Sequence, residues 1–247
     1  MIDQWLITGD THGVFSRFEK LQAVAAANNE TYGVIILGDA GINFWLNKSD
    51  KRLKNKIAAD FPNLWFYCVR GNHEERPEYI QGMHMGYDTH VQGSVYFELE
   101  FPQIRYFVDG GEYVIGDYKV LTIGGAYSID KEYRLQRAKM TGVYAGWFEG
   151  EQLSDTERQT IAERVEGQAY DIVLTHTCPI SWEPRDLFLP FVDQSRVDKT
   201  MEMWLEDLKG GFEWKVWCVG HYHDDRTLAP GALMFSQTIR NIDDIML

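Results

Sequence analysis

Short apolar runs alternate with helical patterns along the first third of the chain. Runs of apolar and β-branched residues at 4–9, 33–37 and 64–69 have the length of buried strands and end in Gly or polar residues. Apolar residues recur at helical spacing over 14–27, and a further helix is predicted at roughly 50–59. The order β-α-β-α-β predicts a parallel sheet with right-handed crossovers.

The pattern changes in the middle of the chain. Residues 94–125 are rich in Tyr, Phe, Val and Ile and contain the turn sequences DGGEY and GDYK, which predicts antiparallel hairpins that form a second sheet. Helices are predicted at about 130–139 and 154–166. The second of these begins with Ser154 and Glu157, which have the spacing of a capping box.

Strands resume in the last third of the chain. Strands are predicted at 171–177, within the run WKVWCVGHYH and at 232–237, with a helix near 196–209. Together the elements predict an α/β protein with two packed sheets and helices outside them. No linker, charge block or repeat divides the sequence, so a single domain over 1–247 is expected.

Composition and charge indicate which binding partners are disfavoured and in which cellular compartment the protein is expected. The net charge of −13 and the pI near 4.9 disfavour stable binding to nucleic acid or to anionic membranes. The N-terminal residues MIDQWLITGD lack the basic and long apolar segments of a signal peptide or membrane anchor. Three cysteines, an odd number set mostly in apolar runs, fit reduced buried thiols and predict a cytoplasmic protein. The oligomeric state is left open.

Polar residues with metal-binding side chains follow five of the predicted strands. Because the carboxyl ends of such strands meet at one crevice, these side chains are expected to converge. Five of the 7 histidines are among them, which scattered placement would not produce. Along an extended chain alternate side chains face the same way, which predicts that Asp10 points with His12 and His221 with His223. The full set is Asp10, His12, Asp39, Asn72, His73, His176, His221 and His223.

Each of these residues also has an ordinary structural explanation when taken singly. Asp10 and Asp39 are typical of helix caps and turns, and Asn72 of turns. His176 is equally consistent with a hydrogen-bonded core imidazole. Two further histidines are interpreted as core residues without a metal role, namely His84 and His90.

The ordered motifs resemble those of the calcineurin-like metallophosphoesterase superfamily. The motifs are Gly9-Asp10-x-His12-Gly13, Gly38-Asp39, Gly71-Asn72-His73-Glu74, Thr175-His176 and Gly220-His221-x-His223. All five family blocks are present in order. The resemblance implies a four-layer αββα sandwich of two mixed sheets flanked by helices, with the metal site at the carboxyl ends of the strands.

The resemblance also implies a role for each residue of the set. One divalent ion would be held by Asp10, His12 and His223, and a second by Asn72, His176 and His221, with Asp39 bridging the two. Oxygen and imidazole ligands suit Mn, Fe, Co or Zn, of which Mn is the first expectation. A hydroxide held by both ions would attack phosphorus, and His73 would protonate the departing oxygen.

The substrate is less defined than the chemistry. The Arg70-Gly-Asn-His-Glu form of the third block resembles protein phosphatases and favours a phosphomonoesterase that acts on phosphoprotein or a small phosphorylated metabolite. The alternative is a phosphodiesterase for cyclic nucleotides, dinucleotides or related esters. A non-catalytic scaffold with this fold is disfavoured because such a chain would be expected to lose ligands.

One family feature is missing from the second block. Protein phosphatases continue it with an Asp and an Arg that orient the acid histidine and clamp phosphate, whereas this chain continues Asp39 with Ala-Gly-Ile-Asn-Phe. Another polar or cationic side chain must then bind the phosphate. The candidates are Asn43, Arg70, Arg134 and Arg137, although Arg134 and Arg137 are also consistent with solvated charges on a helix face.

Overall fold

The computed structural model describes residues 1–247, which form thirteen strands and six α-helices. The strands are β1 Gln4–Thr8, β2 Tyr32–Ile36, β3 Leu64–Cys68, β4 Met83–Asp88, β5 Gly93–Glu98, β6 Ile104–Phe107, β7 Gly111–Ile115, β8 Tyr118–Ile123, β9 Ala169–Thr175, β10 Glu213–Val219, β11 Arg226–Ala229, β12 Ala232–Met234 and β13 Arg240–Asn241. The helices are α1 Glu19–Asn28, α2 Lys48–Asp60, α3 Lys131–Thr141, α4 Asp155–Val165, α5 Thr200–Leu208 and α6 Ile242–Ile245.

The strands form two mixed sheets. The first has the order β13-β1-β2-β3-β6-β5-β4, and the second has the order β11-β12-β10-β9-β8-β7. In the first sheet β1, β2, β3 and β6 run parallel, so that Leu6 lies opposite Val34 and Val34 opposite Phe66. In the second sheet β8, β9, β10 and β12 run parallel. The predicted parallel β-α-β-α-β unit is therefore confirmed.

Three apolar layers hold the sheets and helices together. Residues of both sheets, such as Ile7, Ile35 and Leu174, meet in one buried cluster between the sheets. A second cluster packs the helical side of the first sheet, and a third does so for the second sheet, where Ile161 and Leu205 contact the sheet. Burying one such side chain contributes about 1.5–3 kcal/mol. The predicted fold class, two mixed sheets flanked by helices, is confirmed.

The prediction for residues 94–125 is wrong in part. These residues do form antiparallel pairs, but β5 and β6 join the first sheet rather than the second. Strand β6 pairs in parallel with β3, and the hairpin of β4 and β5 extends the same sheet. Only β7 and β8 belong to the second sheet. Alternating apolar residues predict strands but carry no information about which sheet a strand joins.

Two predicted helices begin later than their periodicity indicates. The pattern at 14–27 starts with a 3₁₀ turn at Ser16–Phe18 before α1 begins at Glu19. The pattern at 196–209 starts at the end of a 3₁₀ turn, Gln194–Arg196, and becomes α-helical only at Thr200. The capping box of α4 is present as predicted, with Ser154 and Glu157 bonded reciprocally.

The two histidines interpreted as core residues differ in their surroundings. His90 is half-buried, and its Nδ1 lies 3.0 Å from the hydroxyl of Tyr67. His84 is exposed on β4, so its prediction as a core residue is wrong. All three cysteines are buried and free. None of the helices combines the length and apolarity that a membrane crossing requires.

Candidate metal centre

The predicted ligands lie on loops that directly follow five strands. Strands β1, β2 and β3 are adjacent in the first sheet, and β9 and β10 are adjacent in the second. Within each sheet these strands run parallel. The carboxyl ends of β1, β2 and β3 therefore lie at one edge of the first sheet, and those of β9 and β10 lie at one edge of the second. The structure brings the following side chains together at these strand ends: Asp10, His12, Asp39, Asn72, His73, His176, His221 and His223.

Several of these residues have an uncommon backbone conformation. His12, Asp39, His221 and His223 all have positive φ, between 46° and 68°, a left-handed region that is uncommon for residues other than Gly, although Asn, Asp and His adopt it more often than the rest. Backbone strain of this kind costs of order 1–3 kcal/mol per residue and clusters at functional sites. A Cβ at Gly71 would also collide with the side chain of Asp39, so only Gly permits this close approach.

One group of ligand atoms comes from the loops after β1 and β10. The Oδ2 atom of Asp10 lies 3.2 Å from His223 Nε2 and 3.7 Å from His12 Nε2. The two Nε2 atoms lie 2.9 Å apart. Asp10 is buried and its Oδ2 accepts no hydrogen bond, whereas both imidazoles are exposed. Three donor atoms thus converge on one point that remains open to solvent, which fits a divalent ion with a free coordination position.

A second group is centred on His176, which is fully buried. Its Nδ1 lies 2.7 Å from the carbonyl of Leu37, and this hydrogen bond requires the ring proton to be on Nδ1. The Nδ2 of Asn72 donates to the hydroxyl of Ser128 at 2.8 Å. As a result, the lone pair of His176 Nε2 faces the Oδ1 of Asn72 at 2.9 Å. Two acceptors directed at one another in a buried site are stabilised by a cation between them.

Asp39 lies next to both groups. Its Oδ1 is 3.6 Å from His176 Nε2, and it forms a possible ligand set with Asp10 and His176. The same oxygen accepts a hydrogen bond from the backbone N–H of His73 at 2.9 Å. The carboxylate of Asp39 is buried, and the imidazole Nε2 of His73 lies 3.8 Å from its Oδ2. The carboxylate of Asp39 therefore lies within reach of candidate ligands from both groups.

Of the two pairs predicted from an extended chain, Asp10 and His12 do point together, whereas His221 and His223 do not. β1 ends at Thr8 and β10 at Val219, so the ligands lie in turns rather than in strands. The imidazole of His223 contacts His12 and Asp10, whereas His221 packs against His176 with ring centres 5.0 Å apart. The two histidines thus face different groups, because left-handed residues break the alternation.

Burial and charge shift the pKa values at the site in opposite directions. Burial alone would raise the pKa of Asp10, but the contact with His223 and the hydrogen bond from the backbone N–H of His221 outweigh it and hold the pKa at about 2. Burial lowers the pKa of His221 well below its usual value and also lowers the pKa of His73, against the attraction of Asp39. A deprotonated carboxylate and neutral imidazoles are the forms that bind metal ions.

Two cavities open next to the ligands. A cavity of about 370 Å³ is lined by Asn72, His221 and His223 together with residues of the loops 127–130 and 187–199. A second cavity of about 320 Å³ is lined by Phe44, Trp45 and Arg134 together with His12. His73 lines both cavities. A phosphate at the cluster would therefore have room for organic groups in two directions.

The candidate phosphate-binding residues occupy very different places. The guanidinium of Arg70 is buried, where Nε donates to Asp109 at 2.8 Å and Nη1 donates to the carbonyls of Gly150 and Glu151. Arg70 lines neither cavity, and Asn43 is buried without lining them. Among the remaining candidates, Arg137 is exposed on α3.

Arg134 is the candidate that lines a cavity with His12 and His73. Its Nε donates to Asp130 at 2.7 Å, and its Nη1 donates to the carbonyl of Gly146. The guanidinium also lies 5.8 Å from the ring centre of Phe44. These contacts hold the positively charged guanidinium of Arg134 at the cavity next to His73.

Sequence analysis missed several residues that support the ligands. Ser128 fixes the orientation of Asn72, and Arg17 donates from Nη2 to the carbonyl of Asp10 at 2.9 Å. Glu74 accepts a hydrogen bond from the N–H of Ala40 at 2.6 Å and so fixes the loop that follows Asp39. Glu74 follows His73 in the third motif, so its supporting role could have been predicted from the sequence. Ser128 and Arg17 lie in no motif, and only the fold brings them to the site.

Comparison with known proteins agrees with this geometry. The sequence matches the family model of the calcineurin-like phosphoesterases over residues 5–225. The chain therefore belongs to the calcineurin-like phosphoesterase family. One solved crystal structure aligns with it at 12% identity and a TM-score of 0.50, over 99% of this chain and 96% of the other, which shows a shared fold alone. No match is found among curated proteins.

Proposed function

We propose that this protein hydrolyses phosphomonoesters with two divalent ions bound at the strand ends. Membership of the calcineurin-like phosphoesterases supports metal-dependent phosphoester hydrolysis. The observation that carries the proposal at the level of residues is the pair of facing acceptors, His176 Nε2 and Asn72 Oδ1 at 2.9 Å. Each of the two has its donor group already bonded elsewhere, which favours a cation between them.

The chain supplies ligands, an acid and a cation. When bound, two divalent ions lower the pKa of a water molecule and neutralise phosphoryl oxygens. Asp39 would orient both ions, and its hydrogen bond from the backbone of His73 fixes that carboxylate. The imidazole of His73 lines both cavities, a place from which its ring N–H can donate to a departing oxygen.

Arg134 supports the choice of a monoester. A monoester dianion carries one more negative charge than a diester, and an additional arginine can stabilise that charge. Arg134 is the arginine that shares a cavity with His73 and His12. We assign the phosphate to the edge of this cavity and the organic group to the larger one. Small phosphorylated metabolites or phosphoprotein side chains then remain the candidate substrates.

A phosphodiesterase is the second candidate function. The observation that favours it is that His73 lines two cavities, each large enough for an organic group. A diester carries two such groups. Arg134 also has two hydrogen-bond partners of its own, which reduces the donors that it can offer to phosphate.

The rates of nitrophenyl phosphate and bis(nitrophenyl) phosphate hydrolysis with Mn²⁺ separate the two functions. We expect the monoester to be preferred, and we expect Arg134→Gln to lower its kcat/KM by roughly tenfold or more while the diester loses less. Arg137→Gln is the matched control, because it removes the same charge from the exposed face of the same helix. A tenfold preference for the diester, or equal losses from both substitutions, would contradict the monoesterase proposal.

A further inference from the structure

The larger cavity has an aromatic and aliphatic wall next to the predicted ligands. Its volume is about 370 Å³, which suits a small organic group. The rings of Tyr127, Phe188 and Tyr222 line it, and Tyr222 lies between the predicted ligands His221 and His223. An organic group in this cavity would lie against aromatic faces and next to the metal centre.

The ionisable groups of this cavity are mainly acidic. Asp198 accepts hydrogen bonds from Gln152 Nε2 at 3.1 Å and from the N–H of Thr200 at 2.9 Å but has no ion-pair partner. The ammonium of Lys199 is already neutralised, since it lies 2.6 Å from Glu183 Oε1 and 4.8 Å from the ring centre of Phe188. Beyond the metal ligands, Asp198 is therefore a carboxylate that no cation neutralises, while burial raises the pKa of the Glu202 carboxyl.

Glu202 is the least satisfied of these acidic residues. It lines the cavity from α5 and is only 3% exposed. Its Oε1 accepts a hydrogen bond from the hydroxyl of Thr177 at 2.7 Å. Its Oε2 is buried without any hydrogen-bond partner. A buried carboxylate oxygen without a donor is destabilising, and a ligand that brings a donor to it would relieve this cost.

We propose that this cavity binds an ammonium group on the alcohol portion of the substrate, with Glu202 as its hydrogen-bond acceptor and Asp198 as a second negative charge. Aromatic faces attract cations, which adds to the attraction of the two carboxylates. An anionic organic group would be repelled by the same residues. This inference rests on the proposed function and specifies its substrate class as a phosphate ester of an amino alcohol.

Three aryl phosphates test the charge preference without changing the reaction. They are 4-(2-aminoethyl)phenyl phosphate, 4-ethylphenyl phosphate and 3-(4-phosphooxyphenyl)propanoate. In the first and the third, two methylene groups separate the ammonium or carboxylate from the ring, and the second is the neutral reference. With Mn²⁺ present, the ammonium ester should have the highest kcat/KM and exceed the carboxylate ester by roughly tenfold or more. Equal values, or preference for the carboxylate, would overturn the proposal.

Substitutions of cavity residues test whether this cavity causes the preference for the ammonium ester. Glu202→Gln keeps the size of the side chain and should reduce the ratio of kcat/KM for the ammonium ester to that for the neutral ester several-fold. Asp198→Asn should act in the same direction, because it removes the charge while the amide oxygen of Asn can still accept the hydrogen bond from the N–H of Thr200. Asp207→Asn removes a charge from the exposed side of α5 and is the control. A ratio that is unchanged in both cavity variants would overturn the assignment.

Binding of the free alcohols separates this inference from the proposed function. Tyramine, 4-ethylphenol and 3-(4-hydroxyphenyl)propanoate can be titrated into the protein by calorimetry, with no hydrolysis required. Tyramine should bind most tightly, and Glu202→Gln should weaken it. If no ester is hydrolysed but this order of affinities holds, the proposed function fails and the cavity assignment stands. If tyramine does not bind more tightly than the other two alcohols, the cavity assignment is wrong.

Discussion

The orientation of single side chains depends on partners that are remote in sequence. His176 presents Nε2 to the site because its Nδ1 is held by the carbonyl of Leu37, and Asn72 presents Oδ1 because Ser128 accepts from its amide nitrogen. The sequence predicts His176 and Asn72 from their positions after strands. It does not predict Leu37 or Ser128 as their partners, because any carbonyl or hydroxyl can fill such a role until the fold selects one.

A general acid matters most when the departing oxygen is strongly basic, and this allows His73 to be tested separately from the ligands. His73→Asn should reduce turnover of an alkyl phosphate by roughly 10²–10⁴-fold and turnover of nitrophenyl phosphate much less. The measurement is the ratio of the two rates, with His84→Asn on exposed β4 as the control. If both esters lost the same factor, His73 would have a ligand or positioning role instead.

At the scale of elements, the parallel strands were predictable and their distribution between sheets was not. Runs such as 33–37 and 64–69 are apolar on both faces, which is typical of buried parallel strands. Residues 94–98 form part of β5, which lies between β6 and β4 in the first sheet. Nothing in the local sequence indicates that this strand extends the first sheet rather than the second. The ligand loops follow the parallel strands, so the candidate site was predicted better than the sheet topology.

Helix α4 is connected to the segment that follows β3 by an ion pair whose strength depends on pH. Arg76 Nη1 donates to Glu157 Oε1 at 2.6 Å, and its Nε donates to the carbonyl of Gly150 at 2.9 Å. Burial opposes the charge of Glu157, but Arg76 and the hydrogen bonds from Ser154 lower the pKa of Glu157 to about 2. The folded-state pKa thus lies below the ordinary glutamate pKa of 4.5, so the pair stabilises the fold fully above pH 4.5 and loses its effect as the pH falls toward 2.

Glu157→Gln should therefore lower the free energy of unfolding at pH 7 and have little effect near pH 2. The amide oxygen of Gln can retain the capping box with Ser154, so the substitution removes the charge and the hydrogen bond that Arg76 Nη1 donates to the other oxygen. Urea unfolding at both pH values measures the difference, and Glu163→Gln on the same helix is the control. A loss of stability that is equal at pH 7 and pH 2 would show that packing, rather than the ion pair, holds α4.

At the scale of the whole molecule, the site lies where the two sheets present their parallel strand ends together. No single strand end identifies a metal centre, since Asp10 or Asn72 alone is consistent with an ordinary turn. Five such ends in one fold make the convergence specific, which is why the resemblance to the family could be recognised from the sequence. The larger cavity could not be predicted, because it is formed in part by loops 127–130 and 187–199 that have no regular pattern.

The metal content and turnover of Asp39→Ala test the account most directly. Asp39 lies beside both groups of ligands, and its carboxylate would offset the repulsion between two ions. Wild-type protein should bind two Mn²⁺ ions per chain by elemental analysis, and Asp39→Ala should lose metal and phosphoesterase activity together while remaining folded by circular dichroism. Asp117→Ala, in the exposed turn between β7 and β8, should match the wild type. An Asp39→Ala variant that retains two ions and full turnover would contradict the assignment of this site.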